Sequence, residues 1–99
     1  MGDIMYKFDY VVKDVTELLE KLKTAIKAVG MRTTIKAIES GNCEHAFIAD
    51  DADVFISRRI TELCKQMDVE YTRVSTMKAL GEACSVQVPT ACAAIKKHA

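Results

Sequence analysis

Helical and strand-like segments alternate along this chain, and this alternation constrains its fold more than any other feature. The helical segments repeat apolar residues at three- and four-residue spacing and begin after residues that cap helices. They are predicted over Val15–Ala28, over Thr33–Ser40, after the polar turn Asp50–Asp53, and from Ser75–Thr76 through Ala83. The strand-like segments are short apolar or alternating runs bounded by polar turns. They are His45–Ala49, Val69–Val74 and Thr90–Ile95.

Helices that alternate with strands at this spacing cover both faces of a sheet. The sequence therefore predicts an α/β fold, a three-layer α-β-α sandwich with a small mixed four-stranded sheet. The length of 99 residues suits one domain, and we assign that domain to residues 13–99. Residues 1–12 mix aromatic residues with alternating polarity and form an N-terminal extension, either an added strand or an extended segment.

The composition is that of a globular protein, with 49% apolar and 28% charged residues. No apolar run approaches the length that spans a bilayer. The segment Met1–Tyr10 contains two aspartates and lacks the apolar core of a secretion signal. We therefore expect a cytoplasmic protein without a membrane partner.

Neither a metal site nor a catalytic centre is evident in the sequence. The four cysteines, Cys43, Cys64, Cys84 and Cys92, include no closely spaced pair, so we predict buried apolar side chains rather than a disulfide or zinc site. The Asp50–Asp53 segment lacks the glycine and distal glutamate of a calcium loop, and we interpret it as a turn and helix cap. Neither histidine lies in a nucleophile motif. We predict a non-enzymatic protein without a cofactor.

The segment V-G-M-R-T-T-I-K-A-I-E-S-G, which begins at Val29, has the features of an anion-binding helix start. Gly30 can adopt positive φ or let another backbone approach closely, and Thr33 or Thr34 can cap the helix. The free N–H groups of the first turn and the helix dipole favour a phosphate. Because the segment contains no histidine or cysteine, we interpret it as better suited to RNA than to a small metabolite.

The net charge is zero, from 14 basic and 14 acidic residues, so any basic surface must arise from the distribution of charge. Five basic residues precede Glu39 with no acid between them. They are Lys21, Lys23, Lys27, Arg32 and Lys36. They form either one basic face or an ordinary solvated helix surface, and the sequence leaves both interpretations open.

The segment C-S-V-Q-V-P-T, which begins at Cys84, places two valines in a predicted loop. Loops usually expose polar groups, so apolar residues there need an explanation. Either the valines close the end of the core, or they form an apolar platform for an unstacked base.

These segments together resemble the ribosomal protein L7Ae family, the kink-turn RNA binders, over about Leu22–Ile95. The resemblance is carried by five motifs in order: V-G-M-R-T-T-I-K-A-I-E-S-G, A-F-I-A-D-D-A-D, Y-T-R-V, S-T-M-K-A-L-G-E-A-C and V-Q-V-P-T-A-C-A-A-I. It implies a three-layer sandwich that recognises sharply bent RNA containing tandem sheared G·A pairs.

By motif position, the resemblance implies two groups of RNA-binding residues. In the first group, Gly30 permits close approach to the RNA backbone, Arg32 and Thr33 reach the G·A bases, and Thr34 and Lys36 contact the sugar-phosphate. In the second group, the loop residues pack against a flipped-out nucleotide while a lysine assists with a phosphate. The loop residues are Val86, Gln87 and Val88, and the lysine is Lys78.

We therefore expect a cytoplasmic, ribosome-associated protein that stabilises bent structured RNA, most simply ribosomal RNA. Ribosomal proteins are expected as further partners. The alternative is a ribosomal or protein-interaction module of the same fold that does not bind kink-turns. The zero net charge favours this alternative, and the acid-free basic stretch opposes it.

Overall fold

In the computed structural model, which describes residues 17–99, helices cover both faces of a four-stranded sheet. The elements in chain order are α1 (residues 17–24), β1 (Lys27–Val29), α2 (Met31–Glu39), β2 (His45–Ala49), α3 (Val54–Met67), β3 (Tyr71–Val74), α4 (Met77–Ala83) and β4 (Cys92–Ile95). The predicted three-layer fold with a mixed sheet is confirmed. The predicted N-terminal extension, residues 1–12, lies outside the described residues.

The sheet has the strand order β1-β4-β2-β3. Strand β4 is antiparallel to both β1 and β2, whereas β2 is parallel to β3. Successive residues of a strand point to opposite faces of the sheet. Accordingly, Ile48 packs in one core cluster with Ile38 of α2 and Ile60 of α3. Phe47 packs in the other with Leu22 of α1 and Leu80 of α4.

Strand β1 was not predicted by the sequence pattern. The predicted first helix reaches Ala28, but the helix ends at residue 24 and Lys27–Val29 are extended. The strand pairs with β4, with Lys27 opposite Ile95. A strand of three residues is too short to show a recognisable alternation, so the helical spacing of the preceding residues dominated the prediction. Its conformation is determined instead by pairing with a strand distant in the sequence. The predicted strands at Val69–Val74 and Thr90–Ile95 each begin two residues later than expected.

The aspartates of the Asp50–Asp53 turn hold neighbouring helices in place. The side chain of Asp53 caps α3 by accepting a hydrogen bond from the N–H of Phe55, at 2.8 Å. The side chain of Asp51 accepts a hydrogen bond from the N–H of Met77 at the start of α4, also at 2.8 Å. The predicted role of this segment as a turn and helix cap is confirmed.

All four cysteines are buried and reduced, as predicted. Burial disfavours the thiolate and raises the pKa of Cys43, Cys64 and Cys84 to about 11. The pKa of Cys92 is raised for the same reason. These thiols therefore act as small apolar side chains in the two core clusters.

One end of the sheet brings together segments that are far apart in the sequence. The N–H of Gly30, after β1, donates to the carbonyl oxygen of Cys92 at 2.9 Å. The N–H of Ala49, at the end of β2, donates to the carbonyl oxygen of Ala91, also at 2.9 Å. We call this the Gly30 end. It places the start of α2 next to the chain that enters β4. No helix within residues 17–99 combines the length and apolarity needed to cross a bilayer.

Candidate nucleic-acid interface

Helix α2 begins at the Gly30 end with an open, uncapped first turn. Gly30 has φ 93°, so the predicted positive φ is confirmed. A Cβ atom built at Gly30 would meet no atom within 4 Å, which leaves open space beside this backbone. The first turn carries no acidic residue and no side-chain cap. This geometry leaves its N–H groups accessible to an anion.

The prediction that Thr33 or Thr34 caps α2 is wrong, because Gly30 occupies the cap position. The Thr33 hydroxyl instead donates back to the carbonyl oxygen of Val29, at 2.6 Å. Thr33 is exposed, and its oxygen retains lone pairs that can accept a hydrogen bond.

The predicted contact of Thr34 with the sugar-phosphate does not agree with its position. Thr34 is fully buried on the inner face of α2. Its hydroxyl oxygen meets no hydrogen-bond partner of suitable geometry within residues 17–99. It nevertheless lies near enough to the Cys92 thiol to lower that pKa slightly, against the larger effect of burial. Thr34 is therefore a core residue.

Arg32 and Lys36 lie on the exposed side of α2, one turn apart. They line a surface groove of about 580 Å³ together with Met31, Ile35 and Glu39. Within residues 17–99 the ion pairs are formed by Lys21, Arg59 and Arg73. Arg32 and Lys36 consequently carry charge that no carboxylate of the described part neutralises.

The predicted basic face does not extend to Lys21. The Lys21 ammonium forms an ion pair with Glu44, which directly precedes β2. The N–H of Glu44 donates to the carbonyl oxygen of Ile95, and this contact lies at the end of the sheet opposite Gly30. Positive charge at the Gly30 end is thus supplied by α2 rather than by α1.

Two backbone hydrogen bonds hold the start of the loop between α4 and β4 against α4. The N–H of Ser85, at φ 61°, donates to Glu82, and the N–H of Val86 donates to Gly81, each at 3.0 Å. This pattern is a Schellman-type helix end. A Cβ at Gly81 would lie 2.3 Å from the carbonyl oxygen of Val88. Gly81 therefore permits the close approach of the loop, a role that its sequence context did not reveal.

The two valines of this loop have different environments. Val86 is half-buried and packs against the core cluster of α1 and α4, which agrees with the interpretation that it closes the core. Gln87 is exposed, and Val88 is 64% exposed. These three residues and Lys78 line a surface cavity of about 340 Å³ together with Glu82 and Pro89. The structure therefore brings together the loop residues and the lysine that the resemblance assigns to a flipped-out nucleotide.

His45 lies at the start of β2, where the sequence predicts the start of a strand. It is buried, and its Nε2 lies 2.6 Å from the Thr72 hydroxyl oxygen. Its ring packs at a tilted angle on Phe47, with centroids 5.1 Å apart. These contacts give His45 a structural role in the sheet.

A family profile described as "Ribosomal protein L7Ae/L30e/S12e/Gadd45 family" matches residues 13–99. The chain belongs to this family. The predicted resemblance is thereby confirmed. Among curated members, the RNA-binding protein YbxF of Geobacillus stearothermophilus is 39% identical over 77 residues, which cover 77% of this chain and 94% of YbxF.

Two solved structures have a similar fold. The Giardia lamblia 15.5kD RNA binding protein aligns with a TM-score of 0.77 and 34% identity, covering 87% of this chain and 76% of that protein. A protein of unknown function from Bacillus halodurans aligns with a TM-score of 0.72 and 18% identity, which supports the fold alone. In this L7Ae-family chain, the residues predicted from the motifs to bind RNA lie on two surfaces. These are the open start of α2 and the exposed loop before β4.

Proposed function

We propose that this chain binds a sharply bent, structured RNA of the kink-turn type at its Gly30 end. The observation that carries the proposal is the start of α2, an uncapped helix turn at a glycine with open space beside it, followed by two cations without carboxylate partners in residues 17–99. Relatives named as RNA-binding proteins, from Geobacillus and Giardia, support the ligand class.

Three exposed residues of α2, and Gly30 before it, have a chemistry suited to part of this ligand. The Arg32 guanidinium offers five N–H donors to the acceptors on a base edge. The Thr33 oxygen, whose hydrogen is directed to Val29, accepts from a base amino group. Lys36 neutralises a phosphate, and the absence of a side chain at Gly30 lets the RNA backbone approach.

The loop supplies recognition by shape. Gln87 and Val88 contact an unstacked nucleotide, while Val86 anchors the loop on the core. Lys78, which lines the same cavity, assists with a phosphate. Thr34 is excluded from the proposed interface by its burial.

We further propose ribosomal RNA as the ligand and a cytoplasmic ribosome as the site of action, with ribosomal proteins as neighbours. The family contains ribosomal proteins, which makes this the simplest source of a bent RNA. Crosslinking in cells, followed by sequencing of the attached RNA, tests the proposal. Recovery of one structured rRNA site supports it, and recovery of unrelated messenger RNAs contradicts it.

Arg32→Ala and Lys36→Gln test the interface. We expect Arg32→Ala to weaken kink-turn binding by about 1–3 kcal/mol because base contacts are lost. We expect Lys36→Gln to reduce the slope of log affinity against log salt concentration by about one, because one phosphate contact is lost. Fluorescence anisotropy titrations over a salt series, with a kink-turn duplex and a straight duplex of equal length, measure both effects.

Lys97→Gln is the matched control, because Lys97 is exposed and lines a cavity with Glu44 at the opposite end. Its affinity for the kink-turn should equal that of the wild type. Equal binding of the bent and straight duplexes by the wild type contradicts the proposal, as does full affinity of the Arg32 variant.

A protein-interaction module on the same fold is the second candidate function. The exposed Val88 and the net charge of zero favour it. Binding to a protein partner need not show the steep salt dependence of phosphate neutralisation. The same salt series therefore separates the two functions.

A further inference from the structure

Helix α3 presents an aromatic residue and two cations on one side. Phe55 is 73% exposed, in the first turn of the helix. Residues three and four positions apart lie side by side on a helix surface, which places Arg58 and Arg59 next to Phe55. Both arginines are exposed. We call these three residues the α3 face.

The backbone beneath Phe55 is held in place. The Phe55 N–H donates to the Asp53 carboxylate at 2.8 Å, and the Ser57 N–H donates to the Asp53 carbonyl oxygen at 3.0 Å. The ring is thus displayed from a capped helix rather than from a loose loop.

The charge on the α3 face is largely uncompensated. Arg58 belongs to no ion pair within residues 17–99, and Glu62, one turn later, forms none there. Arg59 approaches Glu39 at 3.8 Å, with both side chains more than half exposed. Exposed pairs of this kind contribute only about 0–1 kcal/mol, so Glu39 holds Arg59 weakly.

The α3 face continues the surface of α2. Glu39, which contacts Arg59, also lines the groove of Arg32 and Lys36. Helices α2 and α3 pack on the same side of the sheet, since Ile38 and Ile60 share one core cluster. Both helices begin at the Gly30 end, because β1 and β2 end there.

We infer that the α3 face binds an unpaired nucleotide of the RNA, outside the bend, with its base stacked on Phe55 and its phosphates beside Arg58 and Arg59. The inference rests on the proposed function, which supplies the RNA. An aromatic ring flanked by cations is the combination that binds single-stranded nucleic acid, because every base has a π-face and every linkage has a charge.

The experiment compares a minimal bent duplex with the same duplex extended by four unpaired uridines at its 5′ or its 3′ end. We expect the wild type to bind one extended RNA roughly tenfold more tightly, the gain typical of one stacked base. Phe55→Ala should lose this gain and keep full affinity for the minimal duplex. Phe55→Leu, which keeps apolar bulk without the ring, should lose most of it.

The arginines are tested by the salt dependence of the same titrations. For the extended RNA, Arg58→Gln combined with Arg59→Gln should lower the slope of log affinity against log salt concentration by about two, because two phosphate contacts are lost. The slope for the minimal duplex should not change. Met67→Ala and Lys65→Gln, at the other end of α3, are matched controls, since Met67 is also exposed, at 41%. They should behave as the wild type.

The outcomes separate the two proposals. Failure of the wild type to bind even the minimal duplex overturns the proposed function. Normal binding of the minimal duplex without a gain from either extension overturns only the α3 inference. If Phe55→Ala keeps the gain in affinity for the extended RNA, the α3 inference is also overturned. The exposed ring would then be a candidate contact for a protein partner.

Discussion

Two consecutive threonines of α2 have opposite environments, although the motif gave both a role at the interface. Thr33 is exposed and Thr34 is buried, because neighbouring residues on a helix differ by about 100° in direction. The sequence predicted the segment, its glycine at positive φ and its exposed cations. It could not predict the Thr34 orientation, because the rotation of the helix is fixed by the packing of Ile38 and its neighbours against the sheet.

Thr34→Val tests this difference. A buried hydroxyl without a good partner costs about 1–3 kcal/mol, so we expect the valine variant to be about 1 kcal/mol more stable in urea unfolding. RNA affinity should not change. Thr33→Val, the matched variant one residue earlier, should keep its stability and lose affinity. Lower stability of Thr34→Val would show that its hydroxyl makes a useful contact with Cys92.

At the scale of elements, predictions succeeded where local chemistry decides the structure. Strand β2 has the predicted bounds, and the predicted cap segments, Asp50–Asp53 and Ser75–Thr76, contain the observed caps of α3 and α4, Asp53 and Thr76. Strand β1 was missed because its conformation depends on pairing with β4. The path of the loop before β4 was also unpredictable, since it depends on how closely the backbone approaches Gly81.

Gly81→Ala tests how the loop is positioned. The added methyl group would lie 2.3 Å from the Val88 carbonyl oxygen, which is backbone and must move. We expect a loss of about 1–3 kcal/mol in unfolding free energy and weaker RNA binding. The Ala79→Gly variant in the same helix controls for loss of stability alone, since it should cost about 1 kcal/mol through helix propensity and leave RNA affinity unchanged. If Gly81→Ala keeps wild-type stability and affinity, the close approach is unimportant.

At the scale of the whole molecule, zero net charge is compatible with local basic surfaces on α2 and α3, although the carboxylates of Asp50, Asp51 and Asp53 also lie at the Gly30 end. Arg32 and Lys36 lie on α2, and Arg58 and Arg59 lie on α3. The acidic side chains Glu44, Asp68 and Glu70 line a cavity of about 390 Å³ at the opposite end, together with Lys97. Local potential rather than total charge governs attraction of an anionic partner. A neutral chain can therefore present one surface suited to RNA.

The buried thiols predict how the stability of the molecule depends on pH. The pKa of Cys43, Cys64 and Cys84 is about 11 in the folded chain, against 9.0 for an exposed thiol. Their contribution to stability is complete below pH 9 and is lost as the pH rises towards 11, because the unfolded chain ionises first. Urea unfolding at pH 8, 9, 10 and 11 should show a falling free energy of unfolding.

Cys84→Ala is the control for this prediction. The variant is expected to be less stable at every pH, because a buried side chain is shortened, but its loss of stability between pH 9 and 11 should be smaller. Identical pH slopes for both proteins would remove the thiols as the cause.

The central claim is that the Gly30 end binds RNA, and amide chemical-shift mapping tests it most directly. Titration of the isotope-labelled protein with a kink-turn duplex should shift the amide signals of Gly30, Arg32, Lys36 and Val86–Val88. The signals around Glu44 and Lys97 should stay in place. Shifts confined to the opposite end, or none at low salt, would contradict the claim.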